Sequence, residues 1–70
     1  MPHLNVNGTQ REFPADAFPA TLADLIQALE LEPSSLVAEV EGEIVRAPKF
    51  ADQALQPGMR VELVQFVGGG

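Results

Sequence analysis

Few side chains in this protein can do covalent chemistry. There is no cysteine, one histidine (His3) and one lysine (Lys49), and the only hydroxyls are those of Thr9, Thr21, Ser34 and Ser35. Nucleophilic catalysis needs a nucleophile beside a base that a third group orients. No such set can be built here. Thr21 reads as a helix cap, Ser34-Ser35 follow Pro33 in a loop, Lys49 sits in a proline-flanked loop, and His3 reads as an exposed strand residue. Glu39, Glu41 and Glu43 alternate, but Glu41 lies beside a turn, so the three read as a solvated strand face and no metal site is expected. The remaining reactive group is the α-carboxylate of Gly70, which follows Gly68 and Gly69 at the end of an apolar run. Three glycines have no side chains to pack and are costly to order. Fully extended they reach ~10 Å. Without Cβ atoms they can thread a narrow slot and place a carboxylate in another protein's active site. A frayed terminus is the alternative, although such ends are usually polar and mixed.

The elements that must position this tail follow from periodicity. Leu4-Asn5-Val6 alternates as a half-buried strand does. Asn7-Gly8 predicts a two-residue hairpin turn, whose central residues both need positive φ. The return strand, Thr9 to Phe13, alternates weakly and is expected at a sheet edge, with Pro14 ending it. Thr21 caps a helix, with Asp24 as its partner. Leu22, Leu25, Ile26 and Leu29 form its apolar stripe, and Leu31-Glu32-Pro33 is expected to end it. Leu36 to Val40 and Glu43 to Val45 are strands around a Glu41-Gly42 turn. Pro48 to Leu55 is irregular, anchored by Phe50 and Leu55. Pro57-Gly58 is a further turn. Arg60 to Val67 is the longest strand and is apolar on both faces. The order β-β-α-β-β-β, with one helix for a sheet of four or five strands, makes an α+β two-layer domain.

One helix covers one face of that sheet. If Val61 and Leu63 face it, Val64 and Phe66 face away. Unless a loop side chain such as Phe50 folds over them, they form an exposed apolar patch directly upstream of the tail, the expected docking site for partners.

At seventy residues the chain is at most one small domain. A domain of this size buries only ~60% of its unfolded surface, and no disulfide or cysteine-based zinc site can staple it. The hydrophobic content of 46% supports a packed core. No apolar run approaches the ~18 residues of a membrane span, and no leader is visible, so a soluble cytoplasmic protein is expected. Ten acidic against four basic residues give a net charge of −6. Arg11, Arg46, Lys49 and Arg60 are scattered, which argues against nucleic acid as a partner and suits docking onto basic protein surfaces.

The order of elements, ending in a hydrophobic strand and glycines, resembles the ubiquitin-like sulfur carriers. Within them the segment from Val61 through Gly70 is similar to the ThiS proteins of thiamine biosynthesis. So are Val6-Asn7-Gly8, the helix start Thr21-Leu22-Ala23-Asp24-Leu25, the stretch from Val40 to Val45, and Pro57-Gly58. The chain departs from the family pattern at Glu41, where an Asn is frequent, at Phe50, where the aromatic is often Trp, and at Met59, where Asp is common. The resemblance implies a ubiquitin-like β-grasp, with a mixed four- or five-stranded sheet packed on one helix over residues 1–67 and a flexible tail over 68–70. It implies a sulfur carrier acted on by enzymes, rather than an enzyme. By that resemblance the Gly70 carboxylate would be adenylated and converted to a thiocarboxylate that donates sulfur for the thiazole ring of thiamine. The implied partners are an E1-like adenylating enzyme, thiazole synthase, and a sulfur donor of cysteine desulfurase or rhodanese type. The free chain is expected to be a monomer with no bound cofactor, the ATP being used by the activating enzyme. Two alternatives remain open: a carrier like the small subunit of molybdopterin synthase, or a ubiquitin-like protein modifier.

Overall fold

The first hairpin follows from its turn. Asn7 and Gly8 take φ of 51° and 82°, the left-handed pair that a tight type I′ turn requires. It joins β1 (His3–Val6) to β2 (Thr9–Glu12) with Val6 opposite Thr9. The computed structural model describes residues 1–66. The last strand ends at Gln65, short of the expected Val67; Val67 itself, the domain boundary after it, and Gly68, Gly69 and Gly70 lie outside the described residues. β1 buries Leu4 and Val6 and leaves His3 and Asn5 on the other face. His3 is half-buried rather than exposed, because the Gln56–Met59 turn closes over its backbone: the Gly58 N–H donates to the His3 carbonyl at 2.7 Å. β2 is exposed throughout and stops at Glu12. Phe13 leaves the strand and packs edge-to-face on Phe18, ring centroids 5.8 Å apart.

Helix α1 (Leu22–Ala28) starts as its sequence dictates, with the Thr21 hydroxyl oxygen accepting the Asp24 N–H at 3.2 Å. Leu22, Leu25 and Ile26 are fully buried. The helix ends earlier than Pro33 would require. Glu30 takes φ of 59°. Its N–H donates to the Gln27 carbonyl at 3.0 Å, and the Leu31 N–H donates to the Ile26 carbonyl at 3.2 Å. These are the two bonds of a Schellman cap, so the stop is a left-handed residue within the chain and not the proline downstream.

A second hairpin joins β3 (Leu36–Val40) to β4 (Glu43–Arg46). Its turn is again left-handed at both positions, Glu41 at φ 50° and Gly42 at 87°. β4 runs one residue past the expected Val45. The segment before the last strand is part 3-10 helix (Ala47–Asp52), with Phe50 and Leu55 buried as anchors. β5 (Arg60–Gln65) lies between the hairpins, parallel to β1 and antiparallel to β3, giving the order β2-β1-β5-β3-β4. Leu4, Val6, Ala38, Val61 and Leu63 meet the α1 stripe in one core. A mixed five-stranded sheet wrapped on a single helix is the ubiquitin-like β-grasp fold.

Two glutamates occupy left-handed backbone, and they differ in what the side chain does there. The Glu41 carboxylate accepts the Arg60 N–H, whereas no side-chain hydrogen bond is found for Glu30 among the described residues. Left-handed backbone costs an ordinary residue ~1–2 kcal/mol, partly offset by the extra entropy glycine loses on folding. Glu30→Gly is therefore expected to stabilise by about 0.5–1 kcal/mol, a rise in melting temperature of several degrees. Glu41→Gly is expected to give no gain, since it removes a hydrogen bond worth ~0.5–1.5 kcal/mol. Thermal unfolding of the two variants checks the contrast.

Candidate functional site

The face of the sheet opposite α1 has no layer over it among the described residues. Strand alternation decides what stands there. On β5, Val61 and Leu63 point into the core, while Glu62 and Val64 point out, with Phe66 just beyond the strand on the same side. Register then places these beside β3 and β4: Glu62 lies opposite Glu39, which lies opposite Ile44, and Val64 lies opposite Val37, which lies opposite Arg46. Val64 is 61% exposed, Phe66 52% and Ile44 64%. Phe50 is buried in the core and does not cover them. An apolar strip thus runs along the outer side of β5 to the last described residue, bordered by Glu39, Glu62 and Arg46. Phe66 is tied to β3's entry by its N–H, which donates to the Ser35 carbonyl at 3.0 Å.

The other residues singled out in the sequence do not converge. Thr21 is occupied as a cap. The Ser34 hydroxyl donates to a Glu32 carboxylate oxygen at 3.2 Å. Thr9 and Lys49 are exposed on β2 and on the Ala47–Asp52 helix. Among the described residues no three His, Asp or Glu side chains are grouped to hold a metal ion. No helix among them is long and apolar enough to cross a membrane. A groove of about 480 Å³ beside β4 is lined by Ile44, Arg46, Lys49 and Asp52 among others, but no residue of β5 reaches it. Gly68, Gly69 and Gly70 lie outside the described residues. The sequence reading passed over Val37, which extends the strip. Its outward position follows from alternation, but its place opposite Val64 needs the register; Ile44 also points outward but lies two strands from β5, across Glu39.

Fold and face together define a ubiquitin-like β-grasp domain with a bare apolar strip leading toward its C-terminal segment. The ThiS family model matches residues 4–70, and the chain belongs to the ThiS family. A crystal structure of a thiamine biosynthesis protein (ThiS) from Geobacter metallireducens is similar, with a TM-score of 0.79 and 27% identity, covering 97% of this chain and 99% of that one. A solution structure of a thiamine biosynthesis protein from the same organism gives a TM-score of 0.77 and 28% identity, covering 97% of this chain and 87% of that one. Comparison with curated proteins gives no match.

Because Phe66 is half in water, removing its ring exposes no cavity in the core. Phe66→Ser is expected to cost less than ~1 kcal/mol in urea unfolding, as surface changes do. Leu25→Ala, at a fully buried position, is expected to cost ~2–5 kcal/mol.

Proposed function

We propose that this protein is a sulfur carrier in the making of the thiamine thiazole ring, acted on by enzymes rather than catalysing a reaction itself. The observation that carries the reading is the ThiS family match over residues 4–70, which includes all three terminal glycines. The scarcity of nucleophilic side chains agrees with it, as does the exposed strip at Val64 and Phe66 directly upstream.

The chemistry then belongs to Gly70. A carboxylate is a poor electrophile. Its oxygen attacks the α-phosphorus of ATP on an E1-like adenylating enzyme, pyrophosphate leaves, and the resulting acyl adenylate carries a good leaving group. The terminal sulfur of the donor's persulfide attacks the acyl carbon and displaces AMP, giving an acyl disulfide. A second thiol then cleaves the S–S bond, leaving with the donor's sulfur as a disulfide and releasing the C-terminal thiocarboxylate. That group is ionised at neutral pH and is a soft, strong nucleophile toward the acceptor bound to thiazole synthase. Gly68 and Gly69 supply a segment without side chains that can pass through a partner's narrow channel. Val64 and Phe66 supply the apolar contact by which adenylating enzyme and acceptor hold the domain. ATP is the activating enzyme's substrate, so the carrier itself needs no cofactor.

Intact-mass measurement of the protein from its native cell is expected to show one oxygen replaced by sulfur at Gly70. Branched conjugates to lysines of other proteins would overturn the reading in favour of a modifier. Deleting Gly70, or adding residues after it, is expected to abolish sulfur loading in a reconstituted system without unfolding the domain; normal loading of an extended tail contradicts the mechanism. Gly69→Val adds a branched side chain where the channel must pass. It is expected to block transfer while leaving the thermal midpoint unchanged.

A further inference from the structure

The parallel ladder between β1 and β5 ends in an unusual way. The Asn5 N–H donates to the Met59 carbonyl at 3.0 Å, and the Asn7 N–H to the Val61 carbonyl at 2.9 Å. The next rung would need β1 to continue, but the chain turns away at Asn7-Gly8. Leu63, whose side chain is buried, would then face the gap with an unpaired N–H and an unpaired carbonyl. The Asn7 carboxamide fills both positions. The Leu63 N–H donates to Asn7 Oδ1 at 2.7 Å, and Asn7 Nδ2 donates to the Leu63 carbonyl at 3.3 Å. A side-chain amide offers the same acceptor and donor as a peptide unit. The orientation of the amide is set by its partners, since an N–H demands the oxygen and a carbonyl demands the NH₂. Asn7 therefore serves as one more residue of β1 after the backbone of β1 has left.

We infer that Asn7 is a positioning residue for the docking strip: its carboxamide splints β5 past the end of β1 and so fixes where Val64 and Phe66 stand. The inference rests on the reading of that strip as the partner contact. Beyond Val61, backbone pairing holds β5 on the β3 side alone, through Leu36 opposite Gln65. Pairing on one side leaves a strand end free to fray and twist. With the Asn7 amide on the second side, the residue immediately before Val64 is held from both directions. Val64 and Phe66 then project from a fixed backbone, and a partner need not pay to order them.

Asn7→Gly separates this role from the turn. Glycine takes φ of +51° without strain, so the hairpin is kept while the carboxamide is lost. Asn7→Asp keeps the oxygen for the Leu63 N–H but sets a second oxygen against the Leu63 carbonyl, and it serves where the glycine variant folds poorly. Two measurements apply. In amide exchange by NMR, the Leu63 N–H is expected to exchange at least about tenfold faster in Asn7→Gly, with the Leu25 amide of α1 unchanged. In binding to the adenylating enzyme of the same cell, Asn7→Gly is expected to weaken affinity several-fold in fully folded protein, and Asn7→Asp less. In the Phe66→Ser background the Asn7→Gly effect is expected to shrink, because one of the two residues the splint positions is already removed. Unchanged Leu63 exchange overturns the inference, as does an Asn7→Gly effect on binding that is absent in wild type or simply additive with Phe66→Ser. Normal binding by Phe66→Ser itself sinks the docking reading instead, and the exchange measurement still reports whether the splint exists.

Discussion

The insertion of β5 between two hairpins is the contact on which the rest of this molecule depends. β1–β2 and β3–β4 are each local, and each alone would be a marginal two-stranded ribbon. Only β5 joins them, parallel on one side and antiparallel on the other, and only with it in place do Leu4, Val6 and Ala38 share one apolar surface with the α1 stripe. Both hairpin turns reach back to secure it. At one end of β5 the Glu41 carboxylate accepts the Arg60 N–H. Toward the other, the Asn7 carboxamide pairs with Leu63. In each case the first left-handed residue of the turn extends the pairing of the central strand beyond what the backbone of its neighbour supplies.

That arrangement also explains why one face stays bare. A domain of this size has a single helix to spend, and α1 is only seven residues long. It covers the inward residues of β1, β3, β4 and β5 and nothing remains for the other side. A face designed for solubility alone would carry charges along the middle strand. Instead β5 presents Val64 and Phe66 outward, and it places Glu62 directly opposite Glu39, a like-charge pairing that costs the sheet something rather than stabilising it. Neither feature serves the isolated fold. Both are tolerable because the inner face supplies the stability, which leaves the outer face free for the recognition we propose.

Much of this is legible in the sequence, for reasons that differ by element. The hairpins are legible because Asn7-Gly8 and Glu41-Gly42 are local signals. The helix start is legible because Thr21 and Asp24 stand at capping distance. The exposure of Val64 and Phe66 is legible because strand parity needs only Val61 and Leu63 as a reference. The helix end is not, because glutamate has no preference for left-handed backbone and Pro33 offers a more visible stop than Glu30. The half-burial of His3 is not, because it depends on the Gln56–Met59 turn closing over β1. The second role of Asn7 is hidden most deeply. A turn rule already accounts for an asparagine at that position, and its partner lies 56 residues away. The chemistry proposed for Gly70 rests on elimination and on family resemblance, since it would need no side chain at all, and Gly70 lies outside the described residues.

A carrier whose reactive group is its own main-chain terminus, as we propose for Gly70, asks something particular of its fold. An enzyme must hold several side chains in mutual register around a substrate, and the fold is judged by that constellation. Here every acid, base and nucleophile can reside in the partner. What remains for this domain is to be recognised and to hold its last strand steady. Thr21, Ser34 and Glu32 spend their polar groups on caps and turns, and Asn7 and Glu41 spend theirs on the backbone of β5. Among the described residues, the polar side chains that make long-range hydrogen bonds thus converge on one strand. That strand ends one residue before Phe66, from which the chain continues into Val67 and the three glycines.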